Sequence, residues 1–147
     1  YFVSEADGWA HLYSMAADGS NRRQLTSGKW EVDNAVLSHD GTTFYLTTSE
    51  KSPAEQQLYR MSVNGGSRTM ITTGAGGHTA QLSPDESMIA DVYSTAENRP
   101  PELFVMKNEP GVPAIRSKFA SAWGVSIWTM RKVSWLATAG YFSVPWR

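Results

Sequence analysis

The sequence contains no complete serine-nucleophile motif of the α/β-hydrolase type. That motif is a tight elbow, Gly-x-Ser-x-Gly, followed along the chain by Asp and His. The closest match is Gly124-Val125-Ser126-Ile127-Trp128, in which a bulky tryptophan replaces the closing glycine. Gly65-Gly66-Ser67 also fails, because a hairpin turn accounts for its glycines. We therefore predict no catalytic residue in this chain.

The residue types that bind metals or cofactors are also poorly placed. The three histidines, His11, His39 and His78, have no partner histidine two or four positions away, so no local metal site is indicated. The chain has no cysteine, which excludes disulfides and thiolate chemistry. Acidic residues fall mostly in predicted turns, and no phosphate-binding or calcium-binding loop is present. We predict no metal and no cofactor.

Two residues remain as candidates for substrate binding, His11 and Glu31. His11 precedes a predicted Leu-Tyr strand, where it could point into a central funnel or pack inside the protein. Glu31 lies beside Trp30 at the start of another predicted strand. A purely structural role is the alternative interpretation of each residue.

Composition excludes several classes of partner. The chain has 147 residues, of which 41% are hydrophobic, and a net charge of −1. Its basic residues form no cluster larger than a pair, so we expect no nucleic-acid partner. No apolar run approaches the roughly 20 residues that a membrane-spanning helix needs. The sequence predicts a globular chain that has a packed core and no membrane span.

The elements that must position these residues are set by an internal repeat of about 45 residues. Leu12-Tyr13-Ser14-Met15 returns 46 positions later as Leu58-Tyr59-Arg60-Met61, each followed by a turn dipeptide, and Leu103–Met106 echoes the phrase again. Leu37–Gly41 returns as Leu82–Glu86. Periods of this length, with several short strands in each unit, indicate a stacked array such as a propeller. We predict an all-β fold, a partial β-propeller with about two and a half blades of four antiparallel strands each.

The repeat predicts blades over residues 1–117, in units 1–42, 43–86 and 87–117. In this division the strand Val32–Leu37 closes the first unit, and Asp40-Gly41 turns the chain into the second. Residues 118–147 form an atypical tail that contains four of the six tryptophans. This tail fits a linker, an interface or a sequence with a shifted reading frame. We expect the chain to be part of a longer protein, and we expect its uncovered strand edges to favour a larger particle or an oligomer.

Several phrases together resemble one known family. They are Phe2–Glu5, Asp7-Gly8-Trp9, His11–Tyr13, Arg23–Gly28 running into Trp30-Glu31-Val32, Glu50–Glu55, Leu58-Tyr59-Arg60, His78-Thr79-Ala80 and Leu82–Asp85. In this order and spacing, over about residues 1–116, the chain resembles the last blades of the propeller domain in the dipeptidyl peptidase IV branch of the prolyl oligopeptidase superfamily.

This resemblance implies a function for the whole protein. In the family the propeller caps an α/β-hydrolase domain with a Ser-Asp-His triad, and the enzyme removes dipeptides from peptide N-termini, often after proline. The resemblance implies a substrate-gating fragment whose triad lies downstream and whose partners are peptides, further blades and the hydrolase domain. In the family, two paired glutamates from an earlier part of the propeller hold the amino terminus of the substrate, and this chain has no Glu-Glu pair that could take that role. A periplasmic or extracellular location is implied. A non-enzymatic propeller scaffold for protein–protein interaction and a truncated or frame-shifted product are the alternatives.

Overall fold

A computed structural model describes residues 1–95 and 100–111 and a short strand at 115–116. Across these residues the chain forms eleven β-strands and no helix, which confirms the predicted all-β class. The tail 118–147 and its Gly124–Trp128 segment lie outside the described residues. The strands are β1 (Phe2–Ser4), β2 (His11–Ser14), β3 (Arg23–Gln24), β4 (Val32–Leu37), β5 (Thr43–Thr48), β6 (Gln57–Ser62), β7 (Arg68–Met70), β8 (Gly77–Leu82), β9 (Met88–Ser94), β10 (Glu102–Lys107) and β11 (Ile115–Arg116).

The strands form three antiparallel sheets in two compact units. The first unit, Tyr1–Thr73, contains sheet 1, with strand order β1-β2-β3, and sheet 2, with order β4-β5-β6-β7. The second unit begins at Gly74 and contains sheet 3, with order β11-β10-β9-β8. Within each sheet, every pair of hydrogen-bonded strands is consecutive in the sequence and antiparallel, as in a β-meander. Over the described residues, no helix is long and apolar enough to cross a membrane.

The sheets divide the chain at different places from the sequence repeat. The repeat predicts β4 as the last strand of the first unit, but β4 pairs with β5 and therefore belongs to sheet 2. In the same way β8 pairs with β9, in sheet 3. The physical reason is the short turn that joins each of these pairs, because a tight hairpin brings its two strands into hydrogen-bonding register.

These two turns share one hydrogen-bond pattern. The Ser38 hydroxyl donates to Asp40 Oδ1 over 2.6 Å, and Ser83 donates to Asp85 Oδ1 over the same distance. In each turn the serine Oγ also accepts a backbone N–H from the strand that follows, over 3.0 Å. In each turn the serine thus connects the aspartate to the first residue of the strand that follows. Hydrogen bonds donated first by the two serines lower the pKa of Asp40 and of Asp85 below the ordinary value of 3.8.

Sheets 1 and 2 pack face to face through one apolar cluster. The side chain of Leu12 from sheet 1 meets Phe44, Leu46 and Met61 of sheet 2, and the loop residue Trp30 lies among them. Leu25 and Val32 complete the cluster. Each fully buried side chain of this kind contributes about 1.5–3 kcal/mol to the free energy of unfolding. The cluster therefore makes the two sheets of the first unit mutually dependent.

Replacing both turn aspartates by asparagine should make the free energy of unfolding depend less on pH under acidic conditions. Both folded pKa values lie below the ordinary one, so the ionised carboxylates contribute stability above the unfolded pKa and lose it as the pH falls through the folded pKa. We expect Asp40→Asn/Asp85→Asn to have a lower urea midpoint at pH 7 and a shallower loss of stability between about pH 5 and pH 2. Asp33→Asn, on the exposed side of β4, serves as the control. Parallel stability curves for the double variant and the parent chain would contradict this account.

Candidate functional site

The candidate residue His11 lies in a closed hydrogen-bond network at the open end of the β2–β3 hairpin. His11 is fully buried. Its Nε2 lies 3.0 Å from the Gly28 carbonyl oxygen, and its Nδ1 lies 3.1 Å from Thr26 Oγ1. Because a carbonyl oxygen can only accept, Nε2 carries the proton and Nδ1 accepts from the Thr26 hydroxyl. Both ring nitrogens therefore have partners inside the protein.

The threonine in this network also binds the backbone. Thr26 Oγ1 accepts the N–H of Leu12 over 2.9 Å. Leu12 is the second residue of β2, and Thr26 lies two residues after the end of β3. The hydroxyl therefore joins the two strands at the end opposite their turn.

Sheet 2 repeats this arrangement with glutamine in place of histidine. Thr72 Oγ1 accepts the Leu58 N–H over 2.9 Å and donates to Gln57 Oε1 over 2.7 Å. Gln57, Leu58 and Thr72 each follow their sheet 1 counterparts by 46 residues. The return of Leu25-Thr26 as Ile71-Thr72 is the feature of the sequence that could have indicated this shared threonine arrangement. The equivalence indicates that His11 acts here as a hydrogen-bond acceptor within the strand network.

The second candidate, Glu31, lies on the surface of the same unit. Its backbone is held on both sides by Ser49, since its N–H donates to Ser49 Oγ over 3.0 Å and its carbonyl accepts the Ser49 N–H over 3.0 Å. The Glu31 side chain is exposed, and its carboxylate makes no hydrogen bond with any residue in the described part of the chain. His11 touches Trp30, with ring centroids 4.9 Å apart. The structure thus buries His11 against Trp30 and leaves Glu31, the residue after that tryptophan, exposed.

A charged pair beside Trp30 was not found from the sequence. Arg68 donates two hydrogen bonds of 2.6 Å to the two carboxylate oxygens of Glu50. Its guanidinium also lies 4.7 Å from the centre of the Trp30 ring, a cation–π contact between β7 and the loop before β4. The hydrogen bonds to Glu50 raise the pKa of Arg68. Eighteen residues separate Glu50 and Arg68, so only the strand pairing brings them together.

Sheet 3 contains a buried polar pair, His78 and Asp91. His78 Nδ1 lies 2.7 Å from Asp91 Oδ2, and both residues are almost completely buried. Among the described residues, His78 Nε2 and Asp91 Oδ1 have no hydrogen-bond partner. The Tyr93 ring stacks on His78 at 4.3 Å, and its hydroxyl donates to the Ala75 carbonyl oxygen over 2.9 Å. The pair is therefore sealed beneath an aromatic side chain.

The strand registers show what this pair replaces. His78 lies opposite Tyr93, just as Val32 lies opposite Thr48 in sheet 2. Asp91 lies opposite Phe104 on β10, just as Leu46 lies opposite Tyr59. Val32 and Leu46 both belong to the apolar cluster of the first unit. A polar pair therefore occupies two positions that are apolar in the preceding sheet.

Among the described residues, the side chains form no metal-binding group, and neither His11 nor His78 is a solvent-accessible base. They contain no group of three or more His, Asp or Glu side chains able to hold a metal ion. His11 has both ring nitrogens occupied and His78 is sealed, so neither presents a free base to solvent.

Removing the Thr26 hydroxyl should destabilise the first unit. Thr26→Val keeps the shape but leaves the buried Leu12 N–H and His11 Nδ1 without their partner, and an unpaired buried polar group costs about 1–3 kcal/mol. We expect a lower free energy of unfolding in urea, and a similar loss for Thr72→Val in sheet 2. Thr26→Ser retains the hydroxyl and should lose much less. Equal losses for the Val and Ser variants would show that the methyl group matters and the hydroxyl does not.

Replacing the polar pair by the residues of sheet 2 should stabilise sheet 3. Replacing both partners of a buried hydrogen bond by apolar groups of similar shape can be neutral or stabilising, whereas removing one partner leaves the other buried without its hydrogen bond and costs about 1–3 kcal/mol. We expect His78→Val/Asp91→Leu to be more stable than the parent chain and each single variant to be less stable. Urea unfolding of the four proteins gives the coupling between the two positions. A double variant less stable than either single variant would overturn this expectation.

Comparison with known proteins places the chain in context. The family described as the dipeptidyl peptidase IV (DPP IV) N-terminal region matches residues 1–100. A dipeptidyl peptidase 4 of Arthroderma otae is 37% identical over 62 residues, which cover 41% of this chain and 8% of that protein. A dipeptidyl peptidase 4 of Trichophyton equinum is 26% identical over 122 residues, which cover 73% of this chain and 16% of that protein.

The fold agrees with a solved structure of the same kind. The crystal structure of Porphyromonas gingivalis dipeptidyl peptidase 4 is similar, with a TM-score of 0.66 and 26% sequence identity. The similarity covers 90% of this chain and 18% of that protein. The chain thus spans less than a fifth of the length of these relatives. Together with the antiparallel sheets, this confirms the predicted partial propeller, and the chain belongs to the family of the dipeptidyl peptidase IV N-terminal region.

Proposed function

We propose that this chain is part of the substrate-gating propeller of a serine exopeptidase that removes dipeptides from peptide N-termini. The observation that carries the proposal is the family match over residues 1–100. The relatives are named dipeptidyl peptidase 4, which supports a parent enzyme that acts on peptides. The role of this part is to limit access and position the peptide.

In this proposal the chain supplies no catalytic triad. A triad needs a histidine whose one ring nitrogen faces a nucleophile and whose other nitrogen binds a carboxylate. His11 bonds instead to Thr26 and the Gly28 carbonyl. His78 has the carboxylate partner, Asp91, but its other nitrogen is buried and faces no described hydroxyl group. Both environments support a structural role for these histidines.

Of the two candidate substrate-binding residues, Glu31 is the one we assign to peptide contact. Its exposed carboxylate makes no hydrogen bond to any described residue, whereas its backbone is fixed by Ser49. A carboxylate held in this way can accept hydrogen bonds from a protonated amine. His11, which is fully buried, instead supports the strands that carry this loop.

A chromogenic assay tests the proposal. We expect the purified chain to release no chromophore above the buffer blank from Gly-Pro or Ala-Pro p-nitroanilide, because in this proposal the nucleophile and the base belong to the hydrolase domain of the parent enzyme. A dipeptidyl peptidase 4 containing its hydrolase domain, measured in parallel, is the positive control. Release by the chain that a serine-directed fluorophosphonate abolishes would show that this chain does carry catalytic machinery and would refute the proposal.

A further inference from the structure

The turn between β6 and β7 contains an asparagine followed by a glycine, Asn64-Gly65. The Asn64 side chain is exposed, and its amide makes no hydrogen bond with any residue that the structure describes. Its repeat counterpart in sheet 1 is Asp18, whose carboxylate accepts the Ser20 N–H over 2.9 Å. The turn of sheet 2 thus presents an unbound primary amide at the position where sheet 1 has a carboxylate.

The fold requires a glycine immediately after this asparagine. Gly65 has a φ of 80°, in the left-handed region that favours glycine. A Cβ atom on Gly65 would also lie 3.2 Å from the Leu25 carbonyl oxygen, which is closer than an ordinary contact. The Gly65 N–H donates to the Ser62 carbonyl oxygen over 2.8 Å and closes the turn. The turn therefore keeps beside Asn64 the residue type whose backbone nitrogen has no side chain of its own to shield it.

A guanidinium from sheet 1 binds the peptide group that joins these two residues. Arg23 Nη2 donates to the Asn64 carbonyl oxygen, and the same nitrogen lies 3.6 Å from the position of a Cβ atom on Gly65. When a peptide nitrogen loses its proton, resonance places much of the negative charge on the carbonyl oxygen of the same peptide group. A cation at that oxygen therefore stabilises the deprotonated Gly65 nitrogen, as a preorganised donor stabilises an oxyanion.

We propose that Asn64 is a site of spontaneous deamidation and that Arg23 accelerates the reaction in the folded chain. Hydroxide removes the Gly65 proton, and the Gly65 nitrogen attacks Asn64 Cγ. The new C–N bond closes a succinimide ring, while the side-chain nitrogen takes a proton from water and leaves as ammonia. A second water then opens the ring at one of its two carbonyl groups and gives aspartate or isoaspartate. The net reaction consumes one water and converts the amide into a carboxylate and ammonium.

The reaction changes the turn between β6 and β7 in one of two ways. Aspartate gives this turn the residue type that sheet 1 has at Asp18, and it adds a negative charge to the turn that Arg23 contacts. Isoaspartate adds a methylene group to the main chain next to the Gly65 N–H, which closes the turn on Ser62. This inference concerns the chain's own covalent chemistry and does not depend on peptide gating, so the outcome of the peptidase assay leaves it standing.

Peptide mapping by mass spectrometry tests the site. The chain is incubated at mildly alkaline pH, and the mass gain of one dalton is followed over time at each asparagine. Asn21, Asn34 and Asn108 are internal references, because each is followed by a residue with a side chain. We expect Asn64 to be modified faster than all three. A rate at Asn64 no higher than that at Asn34 would overturn the proposed site.

Arginine variants test the role of the guanidinium. We expect Arg23→Gln to slow deamidation of Asn64 about fivefold in buffer, which is less than the loss of a buried oxyanion donor because Arg23 is exposed. Arg23→Lys keeps a cation and should retain most of the rate. Arg22→Gln is the matched control and should leave the rate unchanged, since Arg22 lies over the Phe2 and Tyr13 rings instead. Circular dichroism and urea unfolding check that each variant is folded.

The same measurement in concentrated urea separates the fold from the local sequence. All four chains should then react at one rate, because unfolding removes Arg23 from the Asn64 carbonyl oxygen. A rate for Arg23→Gln in buffer that equals or exceeds that of the parent chain would overturn the role of Arg23. A slower rate for Arg23→Gln that persists in urea would show that the effect does not come from the folded contact, and it would also overturn that role.

Discussion

Every sheet in this fold has two faces to bury, and a sheet of three or four short strands cannot bury either one alone. In the first unit the constraint is met by one contact, the meeting of Leu12 and Trp30 with Phe44, Leu46 and Met61. Trp30 belongs to a loop, yet it touches His11 on one side and Arg68 on the other. The hydrogen-bond network of sheet 1 and the charged pair of sheet 2 therefore both depend on a single indole.

The turns and strands could be predicted from the sequence because their causes are local. Asp18-Gly19, Asp40-Gly41 and Asn64-Gly65 are turn dipeptides, and the alternating runs beside them become strands. The grouping of strands into sheets was less accessible, since a repeat has no natural starting point and the sequence alone allowed Val32–Leu37 to close one unit or open the next. The tight Asp40-Gly41 turn decides this, because it pairs β4 with β5.

The candidate site shows where sequence reasoning stops. The residue types of His11 and Glu31 marked them as candidates, but the burial of His11 and the fixed backbone of Glu31 depend on contacts with Thr26, Gly28 and Ser49 up to 18 residues away. The pairs Glu50–Arg68 and His78–Asp91 form across strands, and no spacing rule predicts which residues a register will bring together. The polar pair of sheet 3 further shows that the repeat conserves geometry more strictly than it conserves the polarity of its interior.

The threonine bridge between β2 and β3 has one further consequence. The two strands of a hairpin are covalently connected only at the turn, so their hydrogen bonds break first at the opposite end. Thr26 binds the Leu12 N–H at that free end, and Thr72 does the same for Leu58. The two outer strand pairs are thus closed loops fastened at both ends. A pulling force along either strand must load both fastenings together, so these hairpins should resist peeling and shear as a unit instead of yielding one hydrogen bond at a time.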